Sequence, residues 1–257
     1  KILGAAIYEP HVVAVEGNYD DVNRLCTQIA DRYGWGFANI NLRSYYAEGA
    51  KTMGFEIAEQ LGWRFPDHIV SPVAGGTLLP RIYKGLREFR DVGLVNGQLP
   101  KIHAAQPSGS APVIKAIEAG LEFPEPVKPN TIAKSLAIGN PADGFQVVRV
   151  VKETGATGAM VSDEEILDAV QLLARTEGIF TEAAGGTTLA ATRALIKRGV
   201  IKPHESVVVC ITGNGYKTAD VMFDRVARPT QIGRSLADFE RVIGSQIGVG
   251  SAAAARA

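Results

Sequence analysis

Cysteine is nearly absent: Cys26 and Cys210 are the only two in 257 residues. A disulfide framework is therefore excluded, and such sparse usage suits a reducing compartment, the cytoplasm. Their neighbours mark both as packed apolar residues rather than as a disulfide or metal pair. No apolar run approaches the ~18 residues that a membrane-spanning helix needs, so no membrane partner is expected. An excess of either charge is also lacking, since 27 lysines and arginines are balanced by 27 aspartates and glutamates. Without a basic field there is nothing to attract nucleic acid or anionic lipid, and small-molecule work is the expected role. The four histidines, His11, His68, His103 and His204, fall at strand starts and in a loop without ligand spacing such as H-x-x-x-H, so no metal is assigned. Also missing are the G-x-S-x-G elbow, the G-x-x-x-x-G-K-[ST] phosphate loop and a G-x-G-x-x-G turn behind an early strand. Acyl-transfer hydrolases, nucleotide triphosphatases and nicotinamide-binding Rossmann domains lack their minimum parts here.

What the chain does have is core-forming material, 46% hydrophobic residues, enough for one large domain or for two. Helix-like and strand-like segments alternate, the pattern of an α/β chain with a parallel sheet covered on both faces. The stripe Val22, Leu25, Cys26 and Ile29 predicts a helix over 19–33, ended by Gly34. Helices are also expected over 48–61, 78–89, 110–118 and 185–198, and strands over 11–15, 35–40, 68–73, 102–105 and 206–211. Ser162 with Glu165 three positions later forms a capping box ahead of the stripe Ile166, Ala169, Val170 and Leu173. Pro124, Pro126 and Pro129 exclude both helix and ladder from 121–130, which reads as a surface connection. The alanine-rich end, 251–257, is expected to fray.

Two strand ends carry chemistry. The uncharged β-branched run before Thr212 reads as a central strand that opens into G-N-G-Y-K. Ligands of open α/β sheets bind beyond the carboxyl ends of strands, so Thr212 either faces a ligand or closes the strand with a local turn bond. The strand over 68–73 ends in S-P-V-A-G-G-T, where Gly75 and Gly76 leave the backbone bare before a helix that begins at Thr77 or Leu78. Free N–H groups at a helix start, together with its dipole, hold an anion. Ala74, Gly75, Gly76, Thr77 and Leu78 are the candidate cradle, with a plain strand-to-helix turn as the alternative. Gly185 and Gly186 precede another expected helix and offer a second anion-friendly terminus.

These blocks, with A-E-G-A-K-T (47–52), I-G-N-P (138–141), G-I-F-T-E-A-A-G-G (178–186) and I-T-G-N-G-Y-K-T (211–218), resemble the pyridoxal-phosphate (PLP) dependent enzymes of the tryptophan-synthase-β fold type, threonine synthases most closely. Their order and spacing cover nearly the whole chain. The resemblance implies PLP fold type II, a parallel or mixed sheet flanked by helices. Residues 1–44 would be the remnant of a smaller mobile domain, and 45–257 the larger PLP-binding domain with a C-terminal tail. It further implies a carbon–oxygen lyase, cytoplasmic and homodimeric when intact, that converts O-phosphohomoserine and water to threonine and phosphate. A threonine or serine dehydratase, a cysteine-synthase-like enzyme and a non-catalytic phospho-ligand-binding module are the alternatives.

On this resemblance the cradle takes the PLP phosphate and Thr212 the pyridine nitrogen, while Glu182 either orders the ring's surroundings or is an exposed loop acid. Asn41, Arg43 and Lys51 fall where threonine synthases hold the substrate phosphate, although the arginine in N-I-N-L-R-S-Y-Y-A-E-G is displaced from the family position. Each is equally readable as a solvated surface residue. No S-x-K-D-R-like segment is present, so the lysine that forms the Schiff base is not assigned and the catalytic residue is unknown. That absence, with a start at Lys1 inside an apparent helix, leads us to expect the C-terminal part of a longer enzyme.

Overall fold

A computed structural model describes residues 2–39 and 42–244, and its contacts divide the chain into two units, Lys1–Val221 and Met222–Ala257. The first unit contains helices α1 (Ile2–Ala6), α2 (Tyr19–Tyr33), α3 (Arg43–Gly49), α4 (Thr52–Gln60), α5 (Leu78–Asp91), α6 (Pro112–Glu118), α7 (Gly144–Glu153), α8 (Asp163–Glu177) and α9 (Ala183–Lys197). Its strands are β1 (His68–Pro72), β2 (Lys101–Pro107), β3 (Gly158–Val161) and β4 (Val207–Val209). The second unit holds the short helix α10 (Leu236–Phe239), whose N-cap Ser235 accepts from the Asp238 N–H, followed by the π-helical turn Glu240–Gly244.

Caps set the ends of α2 and α8, two of the three longest described helices. The capping box predicted for α8 is present, and Gly178 closes that helix in the left-handed region at φ 69°. Helix α2 starts with a capping box of its own, between Asn18 and Asp21, and ends at Gly34 with φ 67°. Helix α6 has no cap from Ala111, and the buried Gln106 of β2 takes over: its Oε1 accepts from the N–H groups of Val113 and Ile114, both at 3.1 Å.

The strands run parallel in the order β3-β2-β1-β4. Strand β1 is buried along its whole length. Alternation then separates two cores. Ile69, Ile102 and Ala104 face Ile82 and Leu86 of α5 and Val147 and Val151 of α7. Val70, Ala105, Ala159 and Val161 face Ile166 and Ala169 of α8 and Ala191 and Leu195 of α9. The result is the helix-covered parallel sheet expected from the sequence.

The predicted central strand, β4, stands instead at the edge, paired to β1 and half-buried throughout. A β-branched run specifies an extended backbone but not how many neighbours it acquires. The strands expected over 11–15 and 35–40 do not form among the described residues, where Val13 is 80% and Trp35 60% exposed. Extended sequence without a ladder partner remains irregular. The helix expected over 48–61 is two helices, α3 and α4, and α7 and β3 stand in addition to the expected elements. The alanine-rich end, 251–257, lies outside the described residues.

At the amino edge of the sheet, the buried rings of His68 and His103 form a relay. The Thr157 N–H donates to His103 Nδ1 at 3.2 Å, so His103 Nε2 carries the hydrogen and donates to His68 Nδ1 at 2.9 Å. His68 Nε2 then faces the Glu205 carboxylate at 3.1 Å. Burial first, with neighbouring His68, Lys101 and Arg198, pushes His103 from 6.5 down to about 4. Below pH 6.5 the unfolded chain binds a proton that the folded chain refuses until about pH 4. Stability from this group is thus complete above 6.5 and is lost as pH falls toward 4, by on the order of 3 kcal/mol. Urea unfolding between pH 6.5 and 5 should show this slope and His103→Gln should flatten it; equal slopes in both proteins would show that His103 does not titrate.

Candidate functional site

The carboxyl edge of the sheet opens into a cavity of about 420 Å³, a size suited to a small molecule or cofactor. Ala74, Gly75, Gly76, Thr77 and Leu78, all predicted as an anion cradle, line it. The two glycines serve different ends. Gly76 has φ 94°, and a Cβ there would lie 2.8 Å from the Asp143 carbonyl carbon, so this position needs glycine for backbone reasons. A Cβ on Gly75 would meet only Ile138 Cδ1 at 3.8 Å, so the backbone here is bare toward the cavity. Thr77, the N-cap of α5, makes no side-chain cap bond. Among the described residues, no protein acceptor takes the N–H groups of Gly76, Thr77 and Leu78. An uncapped helix start lining a cavity is chemically a site for an anion, and it fits a phosphate group.

The Thr77 hydroxyl donates instead to the Asp143 carboxylate at 2.7 Å. Gln146 donates to the other carboxylate oxygen at 2.9 Å, and the Arg43 guanidinium pairs with the same group. Asp143 is 6% exposed, so its charge depends on those partners. Arg43 therefore reaches the cavity with its charge already engaged. Asp143 went unremarked in the sequence because a single acid after a proline turn has no spacing that distinguishes it.

Thr212 also lines the cavity, three residues beyond β4. Its carbonyl accepts from the Thr181 hydroxyl at 3.3 Å, while its own hydroxyl bonds no group among the described residues. Glu182 is 8% exposed and is the N-cap of α9, so it is no exposed loop acid; Ser135 donates to its carboxylate at 3.1 Å. The glycines around these residues serve packing. A Cβ on Gly213 would strike the Glu182 carboxyl at 2.4 Å, and one on Gly215 the Phe180 ring at 2.5 Å. Gly185 and Gly186, expected to precede a helix as a second anion site, lie buried inside α9, where a Cβ would meet Thr181 and the Ile166 carbonyl.

One expected substrate contact, Lys51, is not brought to the cavity. The Lys51 ammonium sits between Glu48 and Glu88, at 2.8 Å from each, and does not line the cavity. Those bonds draw Glu48 down to about 2 and raise Lys51. Asn41 lies outside the described residues. The cavity wall also carries Lys134, beside Ser135, and a polar group in which Asn39 donates to the Tyr19 hydroxyl and to Asn23. Lys134 has no carboxylate partner among the described residues. It belongs to no motif block, which is why sequence reading passed over it.

A family profile described as "Pyridoxal-phosphate dependent enzyme" matches residues 1–213. The threonine synthase of Methanosarcina acetivorans is 37% identical over 233 residues, covering 90% of this chain and 57% of the relative. That of Methanocaldococcus jannaschii is 33% identical over 244 residues, covering 95% and 60%. The chain thus spans about three-fifths of the length of these curated relatives. Among solved structures, maize serine racemase superposes with a TM-score of 0.62 at 19% identity, covering 88% of this chain and 67% of that one; this likeness shows the fold alone.

Gly75→Asp would set a carboxylate in the cradle without steric conflict. Two like charges ~4 Å apart repel by ~1 kcal/mol in bulk water and by more in a drier site. PLP affinity should fall roughly tenfold or more with an unchanged melting temperature, and an unaltered affinity would remove the cradle from the site. Separately, Arg43→Ala should destabilise the fold by about 1–2 kcal/mol, since Arg43 is partly exposed but Asp143 is buried. Adding Asp143→Asn should recover most of that loss in denaturant titrations; strictly additive losses would show the pair to be uncoupled.

Proposed function

We propose that this chain, which belongs to the family of pyridoxal-phosphate dependent enzymes, carries the cofactor pocket of a threonine synthase, acting on O-phosphohomoserine and water to give threonine and phosphate. The observation that carries this reading is one cavity with two provisions for anions, the uncapped start of α5 and the cations Lys134 and Arg43. A phosphorylated cofactor uses one and a phosphorylated amino acid requires another. The names of the relatives support the same choice.

Pyridoxal phosphate, when bound, supplies electron withdrawal from the bonds at the α-carbon of an amino acid. The N–H groups of Gly76, Thr77 and Leu78 would hold its phosphate against the α5 dipole. Thr212 offers a neutral hydroxyl for the pyridine nitrogen, which accepts that hydrogen bond without being held protonated. Glu182, oriented by Ser135, would fix the ring's surroundings from the α9 side. Lys134 is the ammonium available to the substrate phosphate, and the five donors of Arg43 leave capacity beyond Asp143. Lys51, held by Glu48 and Glu88, is left out of this assignment.

The proposal extends to a cytoplasmic homodimer whose residues 1–44 belong to a smaller domain. Two free cysteines support the compartment. The cavity wall draws Tyr19, Asn23, Asn39, Arg43 and Tyr46 from the N-terminal segment and its other residues from 72–212, which supports a separate N-terminal part, although α3 runs across the 44/45 boundary. A dehydratase acting on an unphosphorylated hydroxyamino acid is the second reading, favoured by the engagement of Arg43 with Asp143.

With PLP and O-phosphohomoserine, the full-length gene product should release phosphate and threonine in equal amounts. Formation of a 2-oxoacid from serine or threonine instead would replace this reading with the second. Lys134→Ala should raise KM for O-phosphohomoserine by roughly tenfold or more, because charge-assisted bonds contribute ~1.5 to 3 kcal/mol. PLP affinity should stay unchanged; an unaltered KM would take Lys134 out of the substrate site.

A further inference from the structure

A second cleft, of about 230 Å³, lies between α5 and α7 and shares no lining residue with the first cavity. Four cations line it: Arg81, Lys84 and Arg87 on α5, and Arg149 on α7. Spacings of three place the α5 cations on one helix face, where like charges repel one another. Among the described residues Lys84 alone is compensated, by Glu48 and by Glu88 at 3.8 Å. Arg87 stacks over the Tyr83 ring at 5.8 Å from its centroid, which orients its guanidinium but leaves the charge unopposed. Neither Arg81, Arg87 nor Arg149 has a carboxylate partner among the described residues.

Arg81 adds an observation of a different kind. Its Nε is buried and bonds no protein atom among the described residues, and a buried donor of a charged group left unmade costs more than a typical hydrogen bond contributes. The carboxylate on the cleft wall, Glu153, accepts from the Tyr83 hydroxyl at 2.7 Å through one oxygen and forms no ion pair with Arg81 among the described residues. A cleft with four cations, one engaged carboxylate and an orphaned guanidinium N–H is matched by a small ligand bearing several negative oxygens.

We propose that the α5–α7 cleft binds a small phosphorylated anion, at a site separate from the cavity at the sheet edge. Guanidinium forks pair with phosphate oxygens bidentately, which explains three arginines where lysines would serve equally for a diffuse field. The volume is below the usual range for drug-sized ligands, so one or two phosphoryl groups fit better than a nucleotide.

Calorimetric titration with inorganic pyrophosphate at about 0.15 M KCl, where surface attraction is screened, tests this on four proteins. Wild type and Gly75→Asp should bind alike, because the latter blocks only the cradle. Arg81→Gln and Arg149→Gln should each bind at least tenfold more weakly, with PLP affinity retained. Arg149 is exposed, so Arg149→Gln keeps the test sound should Arg81→Gln misfold. Loss of binding in Gly75→Asp alone, undiminished binding in Arg149→Gln, or no binding by wild type at millimolar pyrophosphate would each overturn the proposal.

Discussion

Asp143 is a carboxylate that the fold has removed from water, and such a group must be surrounded by donors and a counter-charge. Meeting that requirement arranges the mouth of the cavity. The Thr77 hydroxyl, the Gln146 amide and the Arg43 guanidinium converge on it from three segments. Its N–H donates to the Gly75 carbonyl at 2.8 Å, which draws the turn before α7 against the cradle and leaves no room for a side chain at Gly76. With Thr77 turned toward Asp143, α5 begins without a side-chain cap, and its free N–H groups remain for a ligand. One buried charge thus links the packing of α5 and α7 to the chemistry at the sheet edge.

The charge distribution follows a common logic of engaged and disengaged groups. Lys51 and Arg43, both candidates from the sequence, pair with carboxylates, whereas Lys134 in the cavity and Arg81, Arg87 and Arg149 in the α5–α7 cleft have no carboxylate partner among the described residues. A net charge of zero over the chain therefore conceals local imbalance, and anion recognition depends on that local imbalance. Cys210 illustrates the opposite case: burial pushes its thiol up to about 12, so it acts as packed apolar volume with no reactive role.

Glycine shows how similar sequence features divide by context. Gly75 leaves open space toward the cavity, whereas Gly213, Gly215, Gly185 and Gly186 are required because Glu182, Phe180, Thr181 and Ile166 stand where a Cβ would project. In sequence both kinds read as glycine-rich turns next to an element end. They differ only in what occupies the space above the backbone, which neighbouring residues in the chain do not reveal.

Much of the framework was legible from local chemistry. The capping box at Ser162, the helix over 19–33 and the strand ending in A-G-G-T each follow from interactions within a few residues and each formed, although the stripe Val22, Leu25, Cys26 and Ile29 is at most half-buried. The cradle residues and Thr212 were also within reach, because a parallel sheet places its ligands at the carboxyl ends of strands whatever the loops contain. Position in the sheet was not legible: β4 became an edge strand and the runs over 11–15 and 35–39 stayed irregular, since ladder partners come from distant segments. Nor was the engagement of charges, for Arg43 meets Asp143 across one hundred positions and Lys51 meets Glu88 across thirty-seven. Composition determined which residue types were present, periodicity determined which elements they formed, and only the tertiary structure decided which charges were paired, because that depends on distances between elements that the chain brings together only when folded.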